Sequence, residues 1–157
     1  MPKMKDVDLA WATTAPVIAT ATARTDVAPE KVWAAVSDHT AWAAWFSGVS
    51  RVELGDPSTG VGGTRKVFLP IGWAQERILA WEPDKQFAFV VTESTLPFAS
   101  AMVENVEIDD VGAGSLIRYT TSVDPSLLFR FAKPVLKVAL SNVVQRGLKG
   151  LVKYVEA

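Results

Sequence analysis

The sequence predicts an α+β fold in which a curved antiparallel sheet lies against one long C-terminal helix, and two observations predict it. After Pro134, apolar residues recur at helical spacing, Leu136, Leu140, Val144, Leu148, Leu151 and Val155, while Lys137, Arg146, Lys149 and Lys153 occupy other faces. Between Val49 and Val123 the chain reads as strands separated by turn chemistry. An apolar stripe as long as the C-terminal one needs a facing surface, and a sheet made of those strands is the simplest one available.

Residues 1–16 read as an N-terminal lead-in with Trp11 as the one evident anchor, and residues 17–157 as a single domain. Val17 to Val27 alternates small apolar residues with Thr and Arg, as a half-buried strand does. Ala28-Pro29-Glu30 opens a helix, because proline suits a first helical position and an early acid complements the helix dipole; Val32, Trp33 and Val36 supply its buried side. Ser37-Asp38-His39-Thr40 breaks that helix and caps a second short one, Ala41 to Trp45, ending before Gly48.

Six strands follow, Val49–Leu54, Gly63–Leu69, Trp73–Trp81, Gln86–Glu93, Ala101–Ile108 and Ser115–Val123. Their links include Gly55-Asp56-Pro57, Pro70-Ile71-Gly72, Glu82-Pro83-Asp84-Lys85 and Asp109 to Gly114, all rich in turn residues. Asp124 and Pro125 start a short apolar segment, Leu127 to Ala132, and Pro134 starts the main helix because it cannot donate the hydrogen bond of a helix interior. The short segment is too apolar to be comfortable in water; it reads either as core or, with Leu96-Pro97-Phe98 and Trp42 or Trp45, as a movable portal. Gly147 and Gly150 each cost about 1 kcal/mol relative to alanine in a helix, which points to close approach to the sheet or to volume left for a ligand. The order of elements is that of the helix-grip fold: a curved antiparallel sheet of about seven strands wrapped around a long C-terminal helix, with two short helices after the first strand.

Composition narrows the function. With 157 residues, 49% of them hydrophobic, 21% charged and a net charge of −1, the chain belongs with ordinary globular proteins rather than disordered or nucleic-acid-coating ones. Zero cysteines exclude disulfides, thiolate metal sites and a cysteine nucleophile, and suit a cytoplasmic location. No run approaches the ~20 apolar residues of a membrane span, and Asp6 and Asp8 stand where a signal peptide would be apolar, so a soluble, unexported protein is expected. With one histidine and no cysteine, no metal site and no cofactor are expected. Gly60-Val61-Gly62-Gly63 lacks the Lys-Ser/Thr and the strand-to-helix context of a phosphate loop. The six tryptophans lie mostly in helical segments and turns, which favours packing over base stacking, and no nucleic-acid partner is expected. His39 reads as a capping-loop residue. From Pro125 to Val155 there are six Lys or Arg and no Asp or Glu, which fits a solvated basic face or, alternatively, a surface for transient contact with an anionic membrane or partner. No pattern specifies an oligomeric state.

Strand alternation predicts the interior. If Pro70-Ile71 is a two-residue turn, Leu69 faces Gly72, Arg65 faces Glu76 and Val67 faces Ala74. Closing the next hairpin with Trp81 opposite Gln86 puts Ile78 against Phe89 and Glu76 against Val91. Closing the last with Ile108 opposite Ser115 puts Val106 against Ile117, Glu104 against Tyr119 and Met102 against Thr121. One face then collects Val67, Leu69, Ile78, Phe87, Phe89, Val91, Met102, Val106, Ile108, Ile117, Tyr119 and Val123, and the other Lys66, Gln75, Arg77, Asn105, Glu107 and Arg118. Trp42 and, from the facing helix, Leu136, Leu140 and Val144 complete the expected lining.

Three charges fall on the apolar face: Arg65, Glu76 and Glu104. An unpaired buried charge costs several kcal/mol, so each must pair, reach water or shift its pKa. Arg65 and Glu76 form either a register-fixing ion pair or a polar anchor for a ligand headgroup. Glu104 beside Tyr119 is the candidate acid/base couple, because a carboxyl in an apolar wall has a raised pKa; a one-residue slip of that hairpin would instead turn Glu104 to solvent.

The motifs Ala28-Pro29-Glu30-Lys31-Val32-Trp33, Asp38-His39 with Trp42 and Trp45, Gly62-Gly63-Thr64-Arg65, Glu76-Arg77-Ile78 with Trp81-Glu82-Pro83, and Gly114 resemble bacterial polyketide cyclase/dehydrase-like proteins of the START and birch-pollen-allergen (SRPBCC) superfamily over about residues 17–155. The resemblance implies a hydrophobic small-molecule partner, lipid- or polyketide-like, bound or transported in an internal cavity between sheet and C-terminal helix. Two alternatives stay open: a polyketide aromatase/cyclase or dehydratase using Glu104, Tyr119, Glu76 or Arg65 to move protons, and a regulatory interaction domain whose cavity has collapsed. The lack of a clustered set of strong catalytic groups favours binding.

Overall fold

The computed structural model describes residues 3–157. Its elements are α1 (Leu9–Ala12), β1 (Val17–Thr25), α2 (Pro29–Ser37), a single 3-10 turn (His39–Ala41), α3 (Trp42–Trp45), β2 (Arg51–Leu54), β3 (Thr64–Leu69), β4 (Gly72–Glu82), β5 (Gln86–Ser94), β6 (Ala99–Asp110), β7 (Ser115–Pro125), a 3-10 segment (Leu127–Ala132) and α4 (Lys133–Glu156). The seven strands form one antiparallel sheet in the order β1-β7-β6-β5-β4-β3-β2. Chain order and sheet order differ only in the placing of β1 beside β7. The helix-grip fold is therefore the fold of this chain.

The apolar stripe of α4, Leu136, Leu140, Val144, Leu148, Leu151 and Val155, is buried. It crosses β1 and β7, with α2 and α3 packed beside it. The short helices are fixed to one another by two indoles: Trp42 Nε1 donates to the Val36 carbonyl (2.8 Å) and Trp45 Nε1 to the Ala35 carbonyl (3.2 Å). Those carbonyls lie in the last turn of α2, where a helix leaves acceptors without intrahelical donors, so each tryptophan satisfies its own buried N–H and the end of its neighbour.

Gly147 and Gly150 mark where α4 passes over α3. A Cβ at Gly150 would stand 2.0 Å from the Trp45 carbonyl oxygen, and one at Gly147 would stand 2.7 Å from Phe46 Cε2. The close approach anticipated toward the sheet is made to α3 instead, because Trp45 and Phe46 lie between. Alanine at 150 gains about 1 kcal/mol of helix propensity but meets backbone that cannot rotate away. Gly150→Ala is expected to lower stability by about 1–3 kcal/mol in urea titration, and Gly147→Ala by less, since a phenyl ring can swing. Equal stability of Gly150→Ala and the parent would contradict the contact.

Two hairpins close differently from the sequence reading. Glu82, not Trp81, faces Gln86, and an irregularity between Ile78 and Ala80 restores the predicted pairs Ile78–Phe89 and Glu76–Val91. In the β6–β7 hairpin Asp110, not Ile108, faces Ser115, so Glu104 faces Thr121 and Val106 faces Tyr119. The longer strands make the turn tighter than assumed. A shift of two residues keeps every side chain on its face, and the inward set survives.

The N-terminal lead-in has more anchors than Trp11. Beyond the Val90–Val103 pair the ladder between β5 and β6 ends. There the Met4 and Lys5 N–H groups donate to Thr92 and Ser100 carbonyls (2.9 and 2.8 Å), and Asp6 pairs with Arg77 (2.7 Å). No helix among the described residues is long and apolar enough to cross a membrane.

Candidate functional site

Arg65 on β3 and Glu76 on β4 face each other, and Arg65 Nε donates to Glu76 Oε2 at 2.6 Å. Both are buried, Arg65 to 1% exposure. The guanidinium lies against two aromatic rings set nearly at right angles to each other: its Cζ is 4.3 Å from the Trp42 ring centroid and 4.8 Å from that of Phe89. Such contacts partly replace lost water around a weakly hydrated planar cation. Burial pushes the Glu76 carboxyl up, against the opposing charge and hydrogen bond of Arg65.

Behind the pair stands His39, which sequence reasoning had left in the capping loop. It is buried. Asp38 does the capping: its Oδ1 accepts from Thr40 N–H (3.1 Å) and Thr40 Oγ1 (2.6 Å). The next residue is thereby free to turn inward between Trp81 and Phe87. Arginine only donates, so the 3.3 Å contact from Arg65 Nη1 makes His39 Nδ1 an acceptor; a carbonyl only accepts, so Nε2–H donates to Ser58 O at 2.5 Å. Only the neutral Nε2–H tautomer meets both demands. Burial, and then the Arg65 charge, lower the histidine pKa to match.

Glu104, on β6, is the second carboxyl. Its Oε2 accepts from Tyr119 O–H at 2.5 Å and its Oε1 from Thr121 Oγ1 at 3.2 Å. Burial raises its pKa from 4.5 to about 7; the two hydrogen bonds and Arg65 hold it down, and the Glu76 charge adds to the rise. Tyr119 is pushed well above its ordinary value by burial and by the neighbouring carboxylate, so it is a fixed donor. The couple anticipated from the sequence exists, but as a diagonal contact rather than a directly opposed pair.

Between these groups lies a partly open cavity of about 60 Å³, lined by Trp42, Phe46, Val49, Arg65, Val67, Leu69, Ala74, Glu76, Phe89, Val91, Leu96, Met102 and Glu104. The structure thus brings together at the cavity Arg65, Glu76, Glu104, Val67, Phe89, Val91, Met102 and Trp42. Ile78, Phe87, Val106, Ile117, Tyr119, Leu136, Leu140 and Val144 are buried but do not line it. Tyr119 stands behind the lining, hydrogen-bonded to Glu104 and packed against Trp42 and Phe46. The space expected between sheet and C-terminal helix is occupied by side chains of the α3 region: Trp42 and Phe46 lie 6.4 and 5.9 Å from the Tyr119 ring, and Phe46 sits under Gly147. The hollow lies instead between α3 and strands β3 to β6.

His39, Phe46, Val49 and Thr121 are parts of the site that sequence reasoning missed. Thr121 follows from the two-residue shift. For His39 the available signal was that Asp38 alone suffices as a cap. A separate groove of about 880 Å³ runs along the outside between β1 and the C-terminal half of α4 and shares no residue with the inner cavity. No group of three or more His, Cys, Asp or Glu among the described residues converges as metal ligands would.

A family model described as polyketide cyclase / dehydrase and lipid transport matches residues 16–156. An uncharacterized protein of Mycobacterium tuberculosis is 26% identical over 153 residues, covering 96% of this chain and 92% of that protein. Among solved structures, the Zhui aromatase/cyclase from Streptomyces sp. R1128 superimposes with a TM-score of 0.76 at 15% identity, over 88% of this chain and 93% of that one. A START superfamily protein from Mycobacterium smegmatis gives 0.75 at 15% identity, over 88% and 97%. At these identities the superpositions speak for the fold.

Proposed function

Because the chain belongs to the polyketide cyclase/dehydrase and lipid transport family, matched over residues 16–156, we propose that it binds a hydrophobic small molecule, lipid- or polyketide-like, in the cavity between α3 and the sheet. The observation that carries this reading is an apolar-walled hollow into which three ionisable groups, Arg65, Glu76 and Glu104, face. Apolar walls supply affinity at about 0.8 kcal/mol per buried methylene, and the ionisable cluster orients one polar end of the ligand.

At about 60 Å³ the hollow is smaller than the roughly 300–1,000 Å³ of a drug-sized site. Uptake therefore requires side chains to part. Leu96, Met102 and Phe46 have no side-chain hydrogen bond to break and lie at the edges of the lining, Phe46 at the end of α3 and Leu96 on the loop between β5 and β6. Native mass spectrometry after incubation with a panel of fatty acids and aromatic polyketide analogues is expected to show one ligand per chain. Met102→Trp, which fills the hollow, is expected to lower that affinity at least about tenfold, by excluding two or more methylenes. Undiminished binding in Met102→Trp would place the ligand elsewhere.

A second reading, proton chemistry of the aromatase/cyclase or dehydratase type, is favoured by one observation: Glu104, with a pKa of about 7, faces the cavity. A group poised near neutrality can both give and take a proton. Tyr119 then holds Glu104 in place and tunes it. Loss of turnover in Glu104→Gln with ligand binding retained would favour this reading, whereas retained turnover would exclude Glu104 from the chemistry.

A further inference from the structure

The segment Leu127–Ala132, expected to pack as core or over the cavity mouth, buries only Phe129 and Ala132 in part: Leu127, Leu128 and Phe131 are 76, 80 and 95% exposed. The surface continues onto the first turns of α4, where Val135 and Val138 are 72 and 62% exposed. Residues 131, 135 and 138 stand at helical spacing along one outward face, opposite the buried Leu136, Leu140 and Val144. Scattered apolar residues on a surface mean little, but five large ones in twelve positions form a contiguous patch of the kind that marks an interaction site.

Charge identifies the partner. Arg130, Lys133 and Lys137 are exposed among these apolar residues. Between Pro125 and Val155 there are six basic residues and no acidic one, which leaves ten basic and seventeen acidic residues in the rest of the chain. The C-terminal segment is basic along its length, with three of its six cations among the exposed apolar residues, and the rest of the chain is net acidic. A protein partner or second copy that buried the patch would have to supply acids to meet three cations, and this chain's own acids lie outside the segment. An anionic bilayer offers both hydrocarbon and negative charge over one flat surface, and repels the net acidic remainder of the chain, which orients the approach.

We propose that residues 127–138 form a peripheral docking face for anionic phospholipid membranes, with Leu127, Leu128, Phe131, Val135 and Val138 entering the interface and Arg130, Lys133 and Lys137 meeting headgroup phosphates. The face is fastened to the cavity side of the fold: Ser126 N–H donates to Phe98 O (2.9 Å) and Ser126 Oγ to Pro97 O (2.7 Å), on the loop that carries Leu96 of the cavity lining. Docking stands independently of which ligand the cavity holds.

Cosedimentation with vesicles of phosphatidylcholine containing roughly a third phosphatidylglycerol, compared with pure phosphatidylcholine, tests the assignment. Stronger binding to the anionic vesicles, weakened as salt rises from about 0.1 to about 0.5 M, is expected. Leu128→Ser/Phe131→Ser and, separately, Lys133→Glu/Lys137→Glu are each expected to reduce partitioning at least about tenfold. All four side chains are exposed, so unchanged thermal unfolding is expected and serves as the folding control. Absence of vesicle binding by the parent, or binding indifferent to both variants, overturns the proposal. So does a patch-dependent dimer: self-association in sedimentation velocity, abolished by Leu128→Ser/Phe131→Ser, that persists when anionic vesicles are added.

Discussion

Arg65→Met is expected to destabilise the protein by about 3–5 kcal/mol, the cost of leaving one member of a buried ion pair alone. Three arrangements fail together in that variant. Glu76 loses its 2.6 Å donor, His39 Nδ1 loses the donor that fixed its tautomer, and the Trp42 and Phe89 rings lose the cation that lies against both. Glu76 is already pushed up by burial, with Arg65 as the opposing influence, so removing Arg65 raises it further. A carboxyl whose folded pKa lies above its unfolded one contributes stability below the unfolded value and loses it as pH rises through the folded value. The defect should therefore be smaller at pH 5 than at pH 8 in urea titrations. Arg65→Met/Glu76→Leu should recover most of the loss, because replacing both charges with apolar groups of similar volume is close to neutral in such sites. A single variant within 1 kcal/mol of the parent at both pH values would show that the pair contributes little.

Glu104→Gln is expected to make the protein more stable above neutrality while leaving it nearly unchanged near pH 4. The native carboxyl titrates at about 7 instead of 4.5, so between those values the folded chain keeps a proton that the unfolded chain releases. Stability from this group is present below pH 4.5 and falls across the window, by about 3 kcal/mol in all. Glutamine removes the penalty yet preserves the contacts: its carbonyl accepts from Tyr119 and its amide can donate to Thr121 Oγ1. His39, with its lowered pKa, acts in the opposite sense and costs stability as pH falls. The difference between parent and variant therefore isolates Glu104. Tyr119→Phe deletes a hydrogen bond that holds Glu104 down, and should move the steep region to higher pH. A pH-independent offset between Glu104→Gln and the parent would mean that Glu104 has the same pKa in the folded and the unfolded chain.

The elements show why some of this was legible in the sequence. Arg65 and Glu76 belong to a hairpin closed by a turn of two residues whose chemistry admits few alternatives, so their pairing followed directly. The stretch Asp109 to Gly114 admits several closures, and an error in choosing one was carried undiminished along β6 and β7. It did no harm to the facing, because the side-chain period is two and the error was two. A one-residue error would have sent Glu104 to solvent. His39 was missed for a different reason. A polar residue in a capping sequence satisfies local rules whichever way it points, and only the aromatic wall formed by Trp81 and Phe87, far along the chain, makes the inward direction available.

By itself the sequence determined the order of elements, the inward face of the sheet and the stripe of α4 that covers it, because these depend on short-range periodicity and on turn residues that act within a few positions. The tertiary structure alone decided how much room remains inside and what stays outside. The volume left over depends on where α3 settles, and Gly147 and Gly150 let it settle close enough for Trp42 and Phe46 to fill the space under the helix. In the Leu127–Ala132 segment, tertiary packing half-buries Phe129 and Ala132 and leaves Leu127, Leu128 and Phe131 in water.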